Sequence, residues 1–418
     1  MAYAQMSDEA DHLRSFRDQF YFPIMNGKDS VYLTGNSLGL QCKQTQDYVT
    51  NELEDWANYG VEAHHHARNP WVDYHELFPA LLTDLTGAKE TEIVVMNQLT
   101  VNLHLLMATF YRPTKERYKI ICEAKAFPSD QYAFLSQAQL HGFDDSAIIE
   151  VSPRDGEYTL RTEDIIQVIQ DHGHETAVVL FSGVNYYTGQ VFNMSAITDA
   201  AKKAGAYCGF DLAHAVGNVP LQLHEWNVDF ACWCSYKYLN SGPGGVAGVY
   251  IHEKHAANIS LPRMAGWWGH DKDKRFQMEK YFRPIPTAEG WQLSNAPVIS
   301  MAVHKASLDV FAEAGVQNIF SKAQKLNDYL WFVLEDIQKA FPGTISIITP
   351  KNKQEHGCQI SMLMLKDGKK IFDTLKQKGV IADWREPNVI RIAPVALYNS
   401  FEDIFRFGDI IIEVLSHQ

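Results

Sequence analysis

The sequence predicts an α/β fold in which a large domain with a mostly parallel sheet is followed by a smaller α+β domain. Up to residue 298, short apolar runs rich in β-branched residues alternate with helix-length amphipathic stretches. Beyond residue 298 the pattern changes to long helical segments and then to alternating strands. We therefore expect an N-terminal segment at 1–40 that packs on either domain, a large domain at 41–298 and a small domain at 299–418.

The composition of the chain favours a globular protein and argues against nucleic-acid and membrane partners. The 418 residues are 46% hydrophobic and 21% charged, which is typical of a globular chain with an ample core. The net charge of −13 would repel nucleic acid, so no nucleic-acid partner is expected. The N-terminus has no apolar signal region and no run of about 18 apolar residues follows, so we expect a cytosolic protein without a membrane partner. Six cysteines are too few for a disulfide framework and are expected to be reduced.

Seven apolar runs have the length of strands and predict the central sheet, because strands covered by helices on both sides are apolar on both faces. These runs are Ile93–Met96, Lys119–Cys122, Ala147–Val151, Ala177–Phe181, Ala206–Phe210, Phe230–Cys234 and Val246–Ile251. The stretch Ser195–Gly205 predicts a helix that connects two of them, with Ser195 as the N-cap and Gly205 just beyond the C-terminus.

The C-terminal part has a different pattern. A helical segment runs through Phe341 with an interruption at Gly315. Strands are expected near Thr344–Ile348, Cys358–Leu365 and Val389–Ile392. This order of elements predicts the small α+β domain.

An acid and an amine follow two of the predicted strands. Asp211 comes after the run Ala206–Phe210, and Lys237 comes after Phe230–Cys234 and before a glycine-rich turn. Residues at the carboxyl ends of parallel strands face the crevice where α/β sheets bind ligands. A carboxylate that pairs with a protonated pyridine nitrogen, together with a lysine amine for a Schiff base, meets the polar requirement of pyridoxal phosphate.

Two further strand ends offer the remaining groups that such a cofactor needs. Thr100 lies at the start of an apolar helix, where backbone amides collect a phosphate. Phe127 and Asp130 follow the run Lys119–Cys122 and offer an aromatic ring and a second acid. Taken singly, Thr100 also fits an ordinary helix start and Phe127 an ordinary core residue.

Segments along nearly the whole chain match a known family in order. They are GNSLGL (35–40), NQLTVNLHLL (97–106), AKAFPSDQYA (124–133), FSGVNYYTGQ (181–190), GFDLAHAVGN (209–218), CWCSYKYLN (232–240), GWWGH (266–270), LSNAP (293–297) and VIRIAPVALYNSF (389–401). By these segments the sequence resembles the kynureninases, a family of fold-type-I pyridoxal phosphate hydrolases related to aminotransferase class V. Tyr236 stands before the lysine, where desulfurases usually have histidine.

The resemblance implies roles for individual residues. It makes Lys237 the lysine that forms the Schiff base, Asp211 the partner of the pyridine nitrogen and Tyr236 a candidate for proton transfer to the substrate carbon. The implied cofactor-binding residues are Leu99, Thr100, Phe127, Ser129, Asp130, Ser182, Asp211, His214, Tyr236 and Lys237, with Trp267 and Asn295 from the second subunit of a homodimer. The implied substrate-binding residues are Arg391, Ser37, His64, Trp268 and Asn295, and Arg391 would hold the α-carboxylate.

The activity implied by the resemblance is hydrolysis of the Cβ–Cγ bond of L-kynurenine or 3-hydroxy-L-kynurenine. The products would be L-alanine and anthranilate or 3-hydroxyanthranilate, in tryptophan degradation and NAD biosynthesis. His64, Ser294 and Asn295 resemble the subset of the family that favours the 3-hydroxylated substrate.

Three alternatives stay open at the level of sequence. A cysteine desulfurase or related β-lyase would need a thiol on a mobile loop, and Cys358 is the one cysteine after the lysine segment. A metal hydrolase would use His64 to His66 with His104, or Cys232 with Cys234, although this spacing is atypical of zinc sites and no metal is expected. A non-catalytic binding protein is the third, and the complete set of candidate catalytic residues argues against it.

Overall fold

The computed structural model describes residues 1–417, and its strands form a large sheet, a smaller sheet and two short pairs. The strands are β1 (Ile24–Met25), β2 (Lys28–Asp29), β3 (Val31–Tyr32), β4 (Ile93–Val95), β5 (Lys119–Glu123), β6 (Ile148–Val151), β7 (Thr176–Ser182), β8 (Tyr207–Asp211), β9 (Phe230–Cys234), β10 (Ala247–Ile251), β11 (Ile345–Ile347), β12 (Ile360–Met364), β13 (Val380–Ile381), β14 (Asp383–Arg385) and β15 (Val389–Ile392).

Helices cover both sheets and connect the parallel strands. They are α1 (Ala2–Glu9), α2 (Thr45–Tyr59), α3 (Ala63–His66), α4 (Pro79–Thr86), α5 (Leu99–Phe110), α6 (Pro128–Leu140), α7 (Thr162–His172), α8 (Met194–Lys203), α9 (Glu253–Ala256), α10 (Val298–Ala314), α11 (Val316–Ala340), α12 (Gly368–Gln377) and α13 (Phe401–Ser416).

The large sheet has seven strands in the order β4-β10-β9-β8-β7-β5-β6. Strands β9, β8, β7, β5 and β6 run parallel to one another, whereas β10 is antiparallel to both β9 and β4. Each predicted apolar run forms one of these strands, with its ends within one residue of the expected ones. The α/β fold with a mostly parallel sheet is therefore confirmed.

The helix predicted at Ser195–Gly205 is present as α8, but its predicted cap is wrong. The side chain of Asn193 caps the helix by accepting a hydrogen bond from the backbone N–H of Ala196. Ser195 lies inside the first turn, because the helix begins one residue earlier, at Met194. Gly205 follows the helix with φ of +73°, the left-handed conformation that its prediction just beyond the C-terminus requires.

The smaller sheet has the order β11-β12-β15-β14 and is antiparallel throughout. Strands β11, β12 and β15 agree with those predicted in the C-terminal part, whereas β14 was not predicted. Gly315 separates the long helices α10 and α11 as expected. Helices α11, α12 and α13 pack around this sheet, and its buried residues form a core of their own. This core is separate from the two clusters around the large sheet.

The N-terminal segment contacts both parts of the chain. The Asp8 carboxylate of α1 accepts hydrogen bonds from the first backbone N–H groups of α13, and β3 pairs with β13. Gly39 donates its N–H to the Tyr236 carbonyl, so closely that a Cβ at this position would overlap the Lys237 carbonyl oxygen. Helix α10, which begins at the predicted boundary, packs on α2 of the predicted large domain. The domain boundaries at residues 40 and 298 stay a prediction.

The six cysteines are buried thiols without a disulfide, as expected. Within residues 1–417 the helices are too short or too polar to span a membrane.

Candidate active site

Four neighbouring parallel strands end in polar residues at the same edge of the large sheet. Strand β5 ends at Glu123, β7 at Ser182 and β8 at Asp211, and Lys237 follows the end of β9. Strand β4 also points this way, because β10 is antiparallel to both β4 and β9. Parallel strands thus gather on one edge the side chains that the sequence separates.

A cleft that is partly open to solvent lies at this edge. Ten sequence-predicted residues line it together: Leu99, Thr100, Phe127, Ser129, Asp130, Ser182, Asp211, His214, Tyr236 and Lys237.

The Lys237 amine lies at the centre of these residues. Its Nζ is 3.0 Å from Nε2 of His214 and 5.9 Å from the ring centroid of Phe127. Burial lowers the pKa of His214 well below its ordinary value, and the nearby positive charges of Lys237, Arg391 and Arg385 lower it further. His214 is therefore neutral and can accept a hydrogen bond from the lysine.

Two buried carboxyl groups, Asp211 and Asp130, face the same space. Burial raises the pKa of Asp211, against the attraction of the Lys237 charge and a hydrogen bond from the Ala213 N–H at 2.7 Å. The pKa of Asp130 is raised well above its ordinary value by burial and by repulsion from Asp211. Oδ1 of Asp130 is buried and has no hydrogen-bond partner. One oxygen of the pair, Oδ1 of Asp130, is thus left without a donor.

Glu123 is a third acid behind this pair, and the sequence analysis missed it. Its carboxylate accepts hydrogen bonds from the Ser182 hydroxyl at 2.5 Å and from the Ser182 N–H at 3.1 Å. Burial raises the pKa of Glu123 to about 7. Its position at a strand end is the signal that could have revealed it, since the same argument selected Asp211.

Two helices begin at the cleft. Helix α5 begins at Leu99 and places Thr100 in its first turn, and α6 begins at Pro128 and places Ser129 and Asp130 in its first turn. The first backbone N–H groups of a helix have no partner within the helix and attract an anion. The cleft thus combines an anion-binding side with an acidic side.

These groups fit pyridoxal phosphate. The unpartnered Asp130 oxygen and Asp211 would accept the positive N–H of a pyridinium ring, and Phe127 offers an aromatic ring close to the lysine. Thr100 and Ser129, at the helix starts, would hold the phosphate. Lys237 would supply the amine for covalent attachment.

Arg391 lies beside the cleft, on β15, and its side chain is fully buried. Its Nη1 donates a hydrogen bond of 2.6 Å to the carbonyl oxygen of Tyr186, a cleft residue. Its remaining contacts are with Asp383 on β14. A buried guanidinium next to the cleft is suited to binding a carboxylate.

Tyr236 lines the cleft next to Lys237 in the chain, and its ring centroid is 5.9 Å from the lysine Nζ. Burial raises the pKa of its phenol, and the nearby Cys234 and Asp211 raise it further. The phenol therefore keeps its proton at neutral pH and can donate it.

Five predicted residues lie outside the cleft of the single chain. Trp267 is 48% exposed and donates its ring N–H to the Arg275 carbonyl, while Trp268 is buried under the Arg275 guanidinium. His64 is half-buried against Trp71. The other two are the half-buried Ser37 and the exposed Asn295. One chain alone therefore does not bring these residues to Lys237.

Five further residues line the cleft that were not predicted: Gln98, Val184, Tyr186, Ala213 and Cys234. All of them lie within a few residues of a predicted one, at the ends of β4, β7, β8 and β9. Tyr186 packs edge-on against Phe127, with ring centroids 5.3 Å apart. Their position close to a strand end is the sequence feature that could have indicated them as cleft residues.

The structure argues against the two rival chemistries. Cys358 is buried, and burial raises the pKa of its thiol to about 12, which is the opposite of a reactive thiol on a mobile loop. In the described part of the chain, the side chains close enough to share a metal ion are Glu92 with His224 and His252, and His75 with Glu76 and Glu289. Neither group includes the histidines or cysteines that suggested a metal hydrolase.

Comparison with known sequences finds similarity along nearly the whole chain. The family model described as "Kynureninase C-terminal domain" matches residues 319–411. A relative named kynureninase from Flavobacterium psychrophilum is 54% identical over 98% of this chain and 97% of its own length. Another of the same name from Homo sapiens is 46% identical over 98% of this chain and 91% of its own length.

Comparison with solved structures shows the fold. A cysteine desulfurase from Thermococcus onnurineus NA1 has a TM-score of 0.75 at 17% identity, over 93% of this chain and 95% of that chain. The cystine C-S lyase C-DES, solved with its product cysteine persulfide, has a TM-score of 0.77 at 14% identity, over 92% of this chain and 97% of that chain.

Proposed function

This chain belongs to the kynureninase family, and from that premise we propose that it hydrolyses the Cβ–Cγ bond of L-kynurenine or 3-hydroxy-L-kynurenine. The products are L-alanine and anthranilate or 3-hydroxyanthranilate, and the cofactor is pyridoxal phosphate. The observation that supports this most strongly is that Lys237 and Asp211 line one cleft. The acid and the amine are far enough apart in the sequence that only the parallel sheet brings them together.

When bound, pyridoxal phosphate supplies an aldehyde carbon that joins to amines and a ring that withdraws electrons from the substrate α-carbon. The Lys237 amine would hold the cofactor, and the same amine would act as the base toward the substrate α-proton. The neutral His214, 3.0 Å away, accepts a hydrogen bond from this amine and fixes its direction. Asp211, with Asp130 beside it, would face the ring nitrogen and favour its protonated form.

We assign to Tyr236 the transfer of a proton to the substrate Cβ after the Cβ–Cγ bond is cleaved. Its raised pKa keeps the phenol protonated at neutral pH, and it lines the cleft beside the lysine. We assign to Arg391 the binding of the substrate α-carboxylate, because guanidinium and carboxylate groups pair through two parallel hydrogen bonds. Its burial beside the cleft supports this role.

The active form is a homodimer in which the partner subunit completes the cleft with Trp267 and Asn295. The support is that Trp267 lies in a segment with exposed apolar side chains, among them Phe276, Met278 and Tyr281. Large exposed apolar patches mark contact surfaces. His64, Trp268 and Ser37 would contribute to substrate binding in that assembly, which we place in the cytosol.

The decisive test is release of the aryl acid. Protein loaded with pyridoxal phosphate is mixed with each of the two kynurenines, and the fluorescence of the aryl acid is followed together with L-alanine. We expect both products in equal amounts, and a higher kcat/KM for the 3-hydroxylated substrate, as the resemblance at His64, Ser294 and Asn295 suggests. Sulfide release from cysteine without aryl-acid release from either kynurenine would overturn the proposal.

A further inference from the structure

Two arginines converge on one carboxylate beside the cleft. The antiparallel register places Asp383 of β14 directly opposite Arg391 of β15. Oδ1 of Asp383 lies 2.8 Å from Nη2 and 3.0 Å from Nε of Arg391, and 3.1 Å from Nε of Arg385. Arg385 is partly exposed, whereas Arg391 has no exposed side-chain surface.

The contacts of Arg391 leave part of its guanidinium available. The group has five N–H donors in one plane. The N–H of Nε donates to Asp383, and one N–H of Nη1 donates to the Tyr186 carbonyl. Nη2 lies 2.8 Å from the same Asp383 oxygen but has no hydrogen-bond partner, so Nη2 and the second N–H of Nη1 stay available to a carboxylate. Tyr186 itself lines the cleft, so this pair lies next to the proposed substrate space.

Asp383 and the Tyr186 carbonyl hold Arg391 from two different elements. Asp383 belongs to the smaller sheet, and Tyr186 follows β7 of the large sheet. A long arginine side chain otherwise has many rotamers, and fixing it before the ligand arrives improves binding. The guanidinium plane is therefore set by a carboxylate that is not expected to touch the substrate.

We propose that Asp383 is a positioning residue that fixes the plane of the Arg391 guanidinium for the substrate α-carboxylate. This inference rests on the proposed function. Charge alone gives the opposite expectation: removal of the negative Asp383 leaves Arg385 and Arg391 without a counter-charge and would attract a carboxylate more strongly. The sign of the effect on substrate affinity therefore separates positioning from charge.

The test uses the loaded enzyme with Asp383→Asn and Asp383→Glu. We expect the KM for L-kynurenine to rise about tenfold in Asp383→Asn, while kcat changes less than about threefold. Asp383→Glu keeps the charge but moves the oxygens, so a smaller rise in KM is expected. The matched control is Asp373→Asn, which removes an exposed carboxylate paired with Lys369 on α12 and should leave KM unchanged.

A second measurement isolates the carboxylate. The descarboxy analogue of L-kynurenine, which has hydrogen in place of the α-carboxylate, is used as a competitive inhibitor of wild type and variants. Its inhibition constant should change less than about twofold in Asp383→Asn, because it makes no contact with Arg391. A general loosening of the cleft would weaken the analogue and the substrate equally, and that result would overturn the inference.

The inference also fails if KM for Asp383→Asn is unchanged or lower than in wild type. If this variant does not fold, the same criteria apply to Asp383→Glu, with folding checked by its melting temperature. A wild-type protein that releases no aryl acid contradicts the proposed function itself. An active wild type with unaffected Asp383 variants contradicts only the role of Asp383.

Discussion

Asp211 and Asp229 are buried aspartates on the large sheet. Asp211 lies at the carboxyl ends of the strands (the carboxyl edge) and Asp229 at their amino ends (the amino edge), and their surroundings differ. Asp229 precedes β9 and accepts hydrogen bonds from His255 at 2.6 Å and from the Cys208 N–H at 2.8 Å, with the Lys254 amine at 2.7 Å. Burial opposes its charge, but these partners outweigh burial and lower the pKa of Asp229. Asp211, at the carboxyl edge, has a raised pKa.

The comparison separates an acid that stabilises the fold from acids for which we propose a role at the active site. A buried carboxylate with a full set of donors is a structural element, and its charge is stable in the folded state. The carboxyl edge instead gathers Asp211, Asp130 and Glu123 around one amine, an arrangement that costs stability unless a cationic ligand is present. Substitution at the carboxyl edge should therefore lower activity, whereas substitution at the amino edge should lower stability.

The largest effect is expected for Lys237→Ala at the carboxyl edge. Loss of the amine removes both the attachment point and the base, so aryl-acid release should fall to background, by at least about 10³-fold. The visible absorbance of the bound cofactor should disappear as well, while the melting temperature of the cofactor-free protein changes little. Retention of a borohydride-reducible cofactor adduct would show that another lysine carries the chemistry.

Asp211→Asn should have the next largest effect. The amide keeps the shape of the side chain but cannot stabilise a protonated ring nitrogen, so kcat should fall about 10²- to 10³-fold. Because the folded state disfavours the Asp211 charge, the cofactor-free variant should be at least as stable as wild type. Activity within threefold of wild type, measured at saturating cofactor, would contradict the role of this acid.

Asp229→Asn tests the amino edge of the sheet. Removal of one partner from this buried cluster should lower the free energy of unfolding by about 2–4 kcal/mol at pH 7, measured by urea denaturation. Because the pKa of Asp229 is lowered in the folded state, its contribution exists above the ordinary carboxyl pKa and is lost as the pH falls through the folded value. The difference from wild type should shrink in acid, and kcat of the folded, loaded variant should stay near that of wild type.

Glu123→Gln should raise stability, unlike Asp229→Asn, and its effect should be the smallest of the four. The pKa of Glu123 is raised to about 7, so its contribution exists below the ordinary carboxyl pKa and is lost as the pH rises through 7. The cofactor-free variant should gain about 1–3 kcal/mol above pH 7 and nothing in acid, since one pKa unit corresponds to about 1.4 kcal/mol. A variant that is less stable than wild type at pH 8 would show that Glu123 is charged and well paired.

The sequence was informative where local chemistry follows the chain. The apolar runs predicted the seven strands of the large sheet, and the residues after them predicted Asp211 and Lys237, because strand ends at one edge share a crevice. The cap of α8 was missed because both Asn193 and Ser195 are good capping residues. Only the backbone shows that the Asn193 oxygen reaches the Ala196 N–H.

Other features depend on contacts between distant segments. Nothing in the chain near Asp383 indicates that it pairs with Arg391, since that contact follows from strand register. Glu123 follows the apolar run Lys119–Cys122, and its hydrogen bonds with Ser182 of the neighbouring strand are visible only in the tertiary structure. Trp267 and His64 lie away from the cleft of one chain, so their roles at the site stay predictions.

By itself, the sequence determined the order of elements, the α/β class and the residue types that the cofactor chemistry requires. Hydrophobic periodicity and strand-end position are local properties, which the chain carries in its order of residues. The tertiary structure decided which acids have partners, which groups bind the Arg391 guanidinium and which predicted residues meet Lys237. These properties depend on burial and on distances between segments far apart in sequence, and the energies of charged groups follow those distances.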